Sequence, residues 1–217
     1  MPAADALLTA DVDELTQRLL RLPTGGGRRL VAIAGPPASG KSVLSGALST
    51  ALAARGLKTS VIPMDGFHLD NAILSRRNLL ARKGAPETFD APGFIALMQR
   101  AKQGGEIYCP LFDRSRDLAV AGASVIDADC DLALVEGNYL LFDEGLWSAL
   151  ADLWDFSIWL DTPPATVRAR CIQRWLGHGH SRADAVARAE QNDLRNARRI
   201  FAARLPADFV LEDRSDG

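Results

Sequence analysis

Eight consecutive residues, Gly35-Pro36-Pro37-Ala38-Ser39-Gly40-Lys41-Ser42, constrain this chain more than any other stretch. They satisfy GxxxxGK[ST] in full. They follow a short apolar run, Leu30–Ala34, and precede a segment whose leucines recur at helical spacing. A loop of this kind wraps a phosphate chain with main-chain N–H groups, and its glycines let the backbone approach closely. The helix that follows adds partial positive charge at its N-terminus. Gly35 and the stretch Ala38, Ser39, Gly40, Lys41, Ser42 and Val43 are therefore candidate nucleotide contacts. Pro36 and Pro37 lack an N–H, so the donors come mainly from Ala38 through Ser42. Lys41 is suited to the β- and γ-phosphates, and the Ser42 hydroxyl to Mg²⁺.

Strand and helix patterns alternate along the rest of the chain. Asp11 followed by Glu14 reads as a capping box opening a helix with Val12, Leu15, Leu19 and Leu22 on one face. Leu30–Ala34, Thr59–Ile62, Asp131–Val135, Phe156–Leu160 and Phe209–Leu211 read as strands. Helices are predicted over Lys41–Arg55, Phe94–Gln103, Pro163–Trp175 and Ser181–Ala203. Such alternation predicts an α/β fold, with a mainly parallel sheet covered on both faces. Residues 106–127 break the rhythm: two strand-like runs flank Arg114–Asp117, which predicts an inserted antiparallel ribbon. At 217 residues the expectation is a single domain, with the ribbon at 106–127 and a helical lid at about 174–183. His178 and His180, with glycines between and before them, suggest a flexible tip for that lid rather than a metal site.

A triphosphate site needs a further acid near its metal. Glu136 follows an apolar strand, where the ligand crevice of such sheets lies, and is the candidate; the alternative is a surface carboxylate at a strand end. Transfer to a hydroxyl needs a carboxylate that takes the proton. Asp65, after Val61-Ile62-Pro63-Met64, is the best placed, although Asp65-Gly66 also suits a simple turn. Asp90 and Asp113 are weaker candidates for the base.

Several stretches resemble a known group. Met64-Asp65-Gly66-Phe67-His68-Leu69-Asp70-Asn71 and Arg82 through Asp90 are similar to two signature stretches of bacterial pantothenate kinase. Pro110 through Arg116 resembles the substrate ribbon of the wider group of P-loop kinases that holds uridine kinase, phosphoribulokinase and pantothenate kinase. Asp155–Asp161 and the helix after it also resemble pantothenate kinase, and Arg174 falls on its lid arginine. The resemblance runs from about Leu30 to Phe209. Pantothenate kinase is longer and has a different ribbon, and uridine kinase lacks the Arg82–Asp90 form. The compact length and the Phe112-Asp113 pattern look closer to a bacterial branch labelled nucleoside/nucleotide kinase-like or fructose transport-system kinase.

The resemblance implies a P-loop NTPase fold of three α/β/α layers, ATP as donor, Mg²⁺, and a small hydroxyl compound as acceptor: a sugar, a nucleoside or a pantothenate-like molecule. It implies Asp65 as base or its close helper and Glu136 at the metal with Ser42. Arg174 would lie over the transferring group, where a cation offsets developing charge; as one of several helix arginines it also reads as a solvated side chain. The acceptor pocket is expected among His68, Arg82, Lys83, Asp90, Asp113, Arg114 and Arg116. His68 has an alternative as a packed core histidine, and Arg114 and Arg116 as solvated turn residues.

Composition narrows the classes. With 25 basic against 27 acidic side chains the net charge is −2, no footprint for wrapping nucleic acid. No apolar run approaches the ~18 residues of a membrane span. Cys109, Cys130 and Cys171 are widely spaced, which fits a reducing cytoplasm rather than a disulfide framework or a zinc site. Met1-Pro2-Ala3-Ala4-Asp5 has no basic start and apolar run of a secretory leader. A monomer or homodimer is expected. The competing function class is an acceptor-independent ATPase acting as a switch or assembly factor. A guanine-type switch would carry Asn-Lys-x-Asp, whereas Asn192 and Asn196 occur in another context.

Overall fold

The computed structural model describes residues 2–213, with side chains from residue 11 onward. Met1, on which the expectation about a leader partly rests, and residues 214–217 lie outside the described residues. Helix α1 (Pro2–Leu20) leads into β1 (Arg29–Ala34), α2 (Lys41–Ala53) and β2 (Thr59–Pro63). A 3₁₀ turn (Met64–Phe67), the short α3 (Asn71–Arg76) and α4 (Ala91–Gln103) follow, then the hairpin β3 (Ile107–Asp113) and β4 (Leu118–Ile126). The chain continues through β5 (Leu132–Gly137), a 3₁₀ stretch (Gly145–Leu153), β6 (Phe156–Asp161) and α5 (Pro164–Gly177). It closes with α6 (Arg182–Arg188), a single π-helical turn (Ala189–Asp193), α7 (Leu194–Ala202) and β7 (Phe209–Glu212).

The sheet order is β2-β5-β1-β6-β7, and every pair in it is parallel. Alternation along β1 explains the layers. Leu30, Ala32 and Ala34 face a cluster built with Phe94 and Met98 of α4, Trp147 and Ile200. Val31 and Ile33 face the opposite cluster, with Leu15 and Leu19 of α1 and Leu44, Leu48 and Leu52 of α2. Helices therefore cover both faces, as the strand composition predicts, and the expected α/β fold with its antiparallel ribbon is present. Among the described residues no helix is long and apolar enough to cross a membrane.

Three boundaries differ from expectation. Asp11 does not open the first helix; α1 begins at Pro2 and Asp11 lies inside it, because residues before the apolar stripe continue the helix. Helix α4 starts three residues earlier than predicted. Asp90 caps it, its carboxylate accepting from the Gly93 N–H at 3.0 Å, so Pro92 and Gly93 belong to the first turn. The long helix predicted over Ser181–Ala203 is interrupted by the π-turn, which inserts a residue and rotates α7 relative to α6.

The ribbon is anchored at its roots. Buried Arg28 donates to the carbonyls of Ala101, Gly105, Asp127 and Cys130 at 2.8–3.3 Å, which ties both ends of the β3–β4 excursion to the base of the sheet. Farther along β3, the turn holding Asp65 packs directly on the ribbon. A Cβ at Gly66 would overlap the Pro110 carbonyl oxygen, so only glycine permits this approach. Gly66→Ala is expected to cost about 1–3 kcal/mol of stability through this overpacking. Thermal unfolding measures it, and an unchanged midpoint would mean that the ribbon is free to yield.

Candidate functional site

Parallel pairing brings the carboxyl ends of β1, β2 and β5 side by side, Ile33 opposite Glu136 and Pro63 opposite Glu136. The loop after β1, the turn after β2 and the end of β5 thus open into one cleft of about 480 Å³. Its walls include Ala38 through Val43, Asp65, His68, Lys83, Arg114, Glu136 and Arg174.

The loop wraps the start of α2. Ala38 and Gly40 have positive φ, 59° and 92°, the left-handed conformations that turn consecutive amides inward. Lys41 is buried and folds back, its Nζ donating to the carbonyls of Gly35 at 3.1 Å and Pro36 at 2.8 Å. Burial pushes the Lys41 ammonium down to about 8, against the upward pull of the Glu136 and Asp65 carboxylates. Gly35 lies beneath the cleft wall rather than in it, packed against Ser39 and Leu160. Val43, on the first turn of α2, is exposed at the rim.

The Ser42 hydroxyl lies between both oxygens of Glu136, at 2.9 and 2.8 Å. Burial raises the Glu136 pKa, opposed by the Ser42 bond and by Lys41. A hydroxyl and a carboxylate oxygen meeting at the phosphate loop suit Mg²⁺, which takes one or two protein oxygens and completes its shell with phosphates and water. Among the described residues no group of three or more His, Cys, Asp or Glu side chains converges as a dedicated metal cage.

Asp65 lies in the 3₁₀ turn after β2, with Arg114 Nη2 donating to its Oδ2 at 3.0 Å. His68 Nδ1 donates to the Asp65 carbonyl at 2.7 Å, which leaves Nε2 as the acceptor of the neutral ring. Burial lowers the His68 pKa, and its ring packs on Phe89 and Phe112 with centroids at 4.1 and 4.7 Å. His68 is thus both a packed ring and a wall of the cleft. Lys83 Nζ donates to Asn71 Oδ1 and to the Asp117 carbonyl, each at 2.7 Å, and lies 5.0 Å over Phe112. Arg174, in the last turn of α5, donates from Nη2 to Asp193 Oδ1 at 2.9 Å.

Four expected acceptor contacts are not brought to the cleft wall. Asp90 is occupied as the cap of α4. Arg82 turns toward the π-turn and α7, donating to the Gln191 carbonyl at 3.1 Å and to Asn192 and Asn196 side-chain oxygens at 2.6 Å. Asp113 closes the ribbon turn, accepting from the Ser115 amide and hydroxyl and from the Arg116 amide. Arg116 is exposed at that turn. Conversely, Phe89, Phe112, Asn138, Trp175, Asp193 and Asn196 line the cleft without having been singled out as site residues. Phe89 and Phe112 fall inside the quoted signature stretches; Asp193 carries no local signal, because its role depends on the π-turn.

Lys41 provides a direct test of this geometry. Below about pH 8 the folded chain holds a buried ammonium at a cost that is relieved as pH rises toward 10.5. Stability measured against Lys41→Met should therefore rise across that window by up to about 3 kcal/mol. Urea titrations at about pH 7, 8.5 and 10 measure it. A flat difference would show that Lys41 is solvated rather than buried.

Residues 30–193 match the family model described as "Phosphoribulokinase / Uridine kinase family". The chain is similar to a solved structure from Silicibacter sp. TM1040 described as a "putative fructose transport system kinase", with 53% identity and a TM-score of 0.89 over 92% of this chain and 98% of that one. It is 33% identical over 218 residues to a "Putative uridine kinase" of Schizosaccharomyces pombe, covering 96% of this chain and 93% of the relative. It is 31% identical over 183 residues to a pantothenate kinase of Mycolicibacterium vanbaalenii, covering 81% of this chain but 57% of that longer protein. With the phosphate loop, the parallel sheet and these matches in agreement, the chain belongs to the phosphoribulokinase/uridine kinase family.

Proposed function

We propose that this protein is an ATP-dependent kinase that moves the γ-phosphoryl group to a hydroxyl of a small molecule, such as a sugar, a nucleoside or a pantothenate-like compound. One observation carries the reading: the Asp65 carboxylate lines the same cleft as the phosphate loop, with Glu136 and Arg174 also in its wall. The cleft's 480 Å³ is within the usual range for small-molecule sites.

Each residue has a task that its surroundings support. The amides of Ala38 through Ser42 and the α2 N-terminus hold the β- and γ-phosphates. Lys41, whose ammonium burial pushes down to about 8, gains a phosphate partner that favours its charged form. Ser42 and Glu136 would hold Mg²⁺, which when bound supplies positive charge to the phosphate oxygens. The acceptor hydroxyl oxygen forms the new bond to the γ-phosphorus while the bond to the β–γ bridging oxygen breaks. Asp65 takes the hydroxyl proton, and the bridging oxygen leaves as the new terminal oxygen of ADP. Arg174 stabilises the negative charge on the transferring group. Arg114, already beside Asp65, and neutral His68 with its free Nε2 line the acceptor side. The aromatic faces of Phe89 and Phe112 supply an apolar wall for the acceptor's carbon skeleton.

The test is ADP release from MgATP with and without a panel of sugars, nucleosides and pantothenate, on the native chain and on Asp65→Asn. One acceptor should stimulate turnover strongly, and Asp65→Asn should reduce that stimulated kcat by about 10²–10⁴-fold while ATP affinity stays close to native. Near-native turnover in Asp65→Asn removes it as base. An acceptor-blind rate that responds to a protein partner supports the ATPase switch instead.

A further inference from the structure

The π-turn Ala189–Asp193 is the irregular element of the segment after α5, and three successive residues of it engage two different segments, the Arg82–Lys83 loop and the end of α5, with Asp193 itself in the cleft wall. On one side, the Gln191 carbonyl and the Asn192 side chain hold the Arg82 guanidinium, and Asn192 Nδ2 donates to the Lys83 carbonyl at 2.7 Å. On the other side, both oxygens of Asp193 are engaged. Oδ1 accepts from Arg174 at 2.9 Å and Oδ2 from the Trp175 indole N–H at 2.7 Å. The Asp193 side chain is only 9% exposed, so the carboxylate end of its bond to the part-buried Arg174 is shielded from water.

An inserted residue in a helix re-aims every side chain beyond it. Here it points Asp193 inward while Asn192, one residue earlier, still reaches the Arg82–Lys83 loop. Arginine has five N–H donors in a planar fork, and a single carboxylate oxygen on Nη2 orients the fork without using it up. An unrestrained arginine would lose most of its rotamer freedom on fixing itself over a phosphoryl group. A buried carboxylate already holding it removes much of that loss. The Trp175 ring, 5.5 Å from the Arg174 guanidinium carbon and bonded to the same carboxylate, completes the clamp.

We propose that Asp193 is a positioning residue that aims Arg174 at the transferring phosphoryl group, and that the π-turn carrying Asp193 ties this aim to the Arg82–Lys83 loop on the acceptor side. The inference rests on the reading of Arg174 as the cation over that group. It makes Arg82 a positioning residue as well, acting through Asn192 rather than by touching the acceptor. Occupancy of the acceptor side, where Lys83 lines the cleft, would reach Arg174 through a few consecutive residues of one helical turn.

The experiment needs no identified acceptor. It follows ADP release from MgATP with water as acceptor, together with Trp175 emission isolated by subtracting the spectrum of Trp175→Phe. Asp193→Asn keeps the shape and removes the charge. It should lower kcat about tenfold with KM for MgATP within about twofold, and shift Trp175 emission. In the Arg174→Ala background the same change should add nothing, since it acts through a side chain no longer present. Arg82→Gln should shift Trp175 emission and lower kcat only when Arg174 is intact. If Asp193→Asn does not fold, Trp175→Phe is the second variant, with a smaller loss of kcat confined to the Arg174 chain. The proposal is overturned if the Asp193→Asn loss, or in its stead the Trp175→Phe loss, adds in full to Arg174→Ala, or if Arg82→Gln leaves Trp175 emission unmoved. Native turnover in Arg174→Ala would instead remove the cation itself, and with it the role of Arg174 in the kinase reading.

Discussion

The parallel register of β1 against β5 is the constraint from which the site follows. Arg29 lies opposite Leu132 and Ala34 opposite Gly137, so both strands end at the same level. The chain leaving β1 must turn sharply into α2, and Glu136 stands beside that turn, close enough for the Ser42 hydroxyl to bridge its two oxygens. A slip of one residue along β5 would send Glu136 to the opposite face of the sheet. Burial of both faces opposes such a slip, because Leu132 and Leu134 pack on one layer and Ala133 and Val135 on the other. Apolar packing thus fixes the position of a charged group that contributes little to the core.

The side of the cleft proposed for the acceptor depends on different physics. Among the described residues the ribbon has no sheet neighbour beyond its own hairpin partner. Its place is set by Arg28 at the root and by the close backbone contact at Gly66. Five-donor arginine suits the first task, since one side chain satisfies carbonyls from both ends of the excursion and from the end of α4. The result brings Phe112 and Arg114 to the turn that carries Asp65 and His68. The phosphate-loop side and the ribbon side of the cleft are therefore built by separate means, strand register for one and anchored loops for the other. The π-turn is where their supports meet.

Much of this was legible along the chain. The phosphate loop, the parallel sheet, the ribbon and the placing of Glu136 and Asp65 at strand ends all follow from local patterns. Apolar runs, glycine spacing and helical leucines act over a few residues and survive into the fold. The structure departs from expectation where one residue type has two uses. Asp90 sits before a helix and caps it, and Asp113 sits before a ribbon turn and closes it; both uses are local, and both carboxylates are consumed there. Arg82 turns away from the cleft wall for the opposite reason. Its partners, Gln191, Asn192 and Asn196, lie more than a hundred residues away and declare nothing about arginine.

Residue order alone settled which chemistry is available: a phosphate-wrapping loop, one lysine, one hydroxyl and carboxylates at the ends of apolar strands. These depend on spacing, which is a property of the chain. Folding settled which of the many charged side chains share a cleft and which are spent elsewhere. Arg174 and Arg82 both had family counterparts to recommend them, yet one lines the cleft and the other turns to the π-turn. The difference arises because electrostatic and hydrogen-bond partners are chosen by distance in space, and an inserted residue in a helix changes those distances without altering the pattern of apolar residues around it.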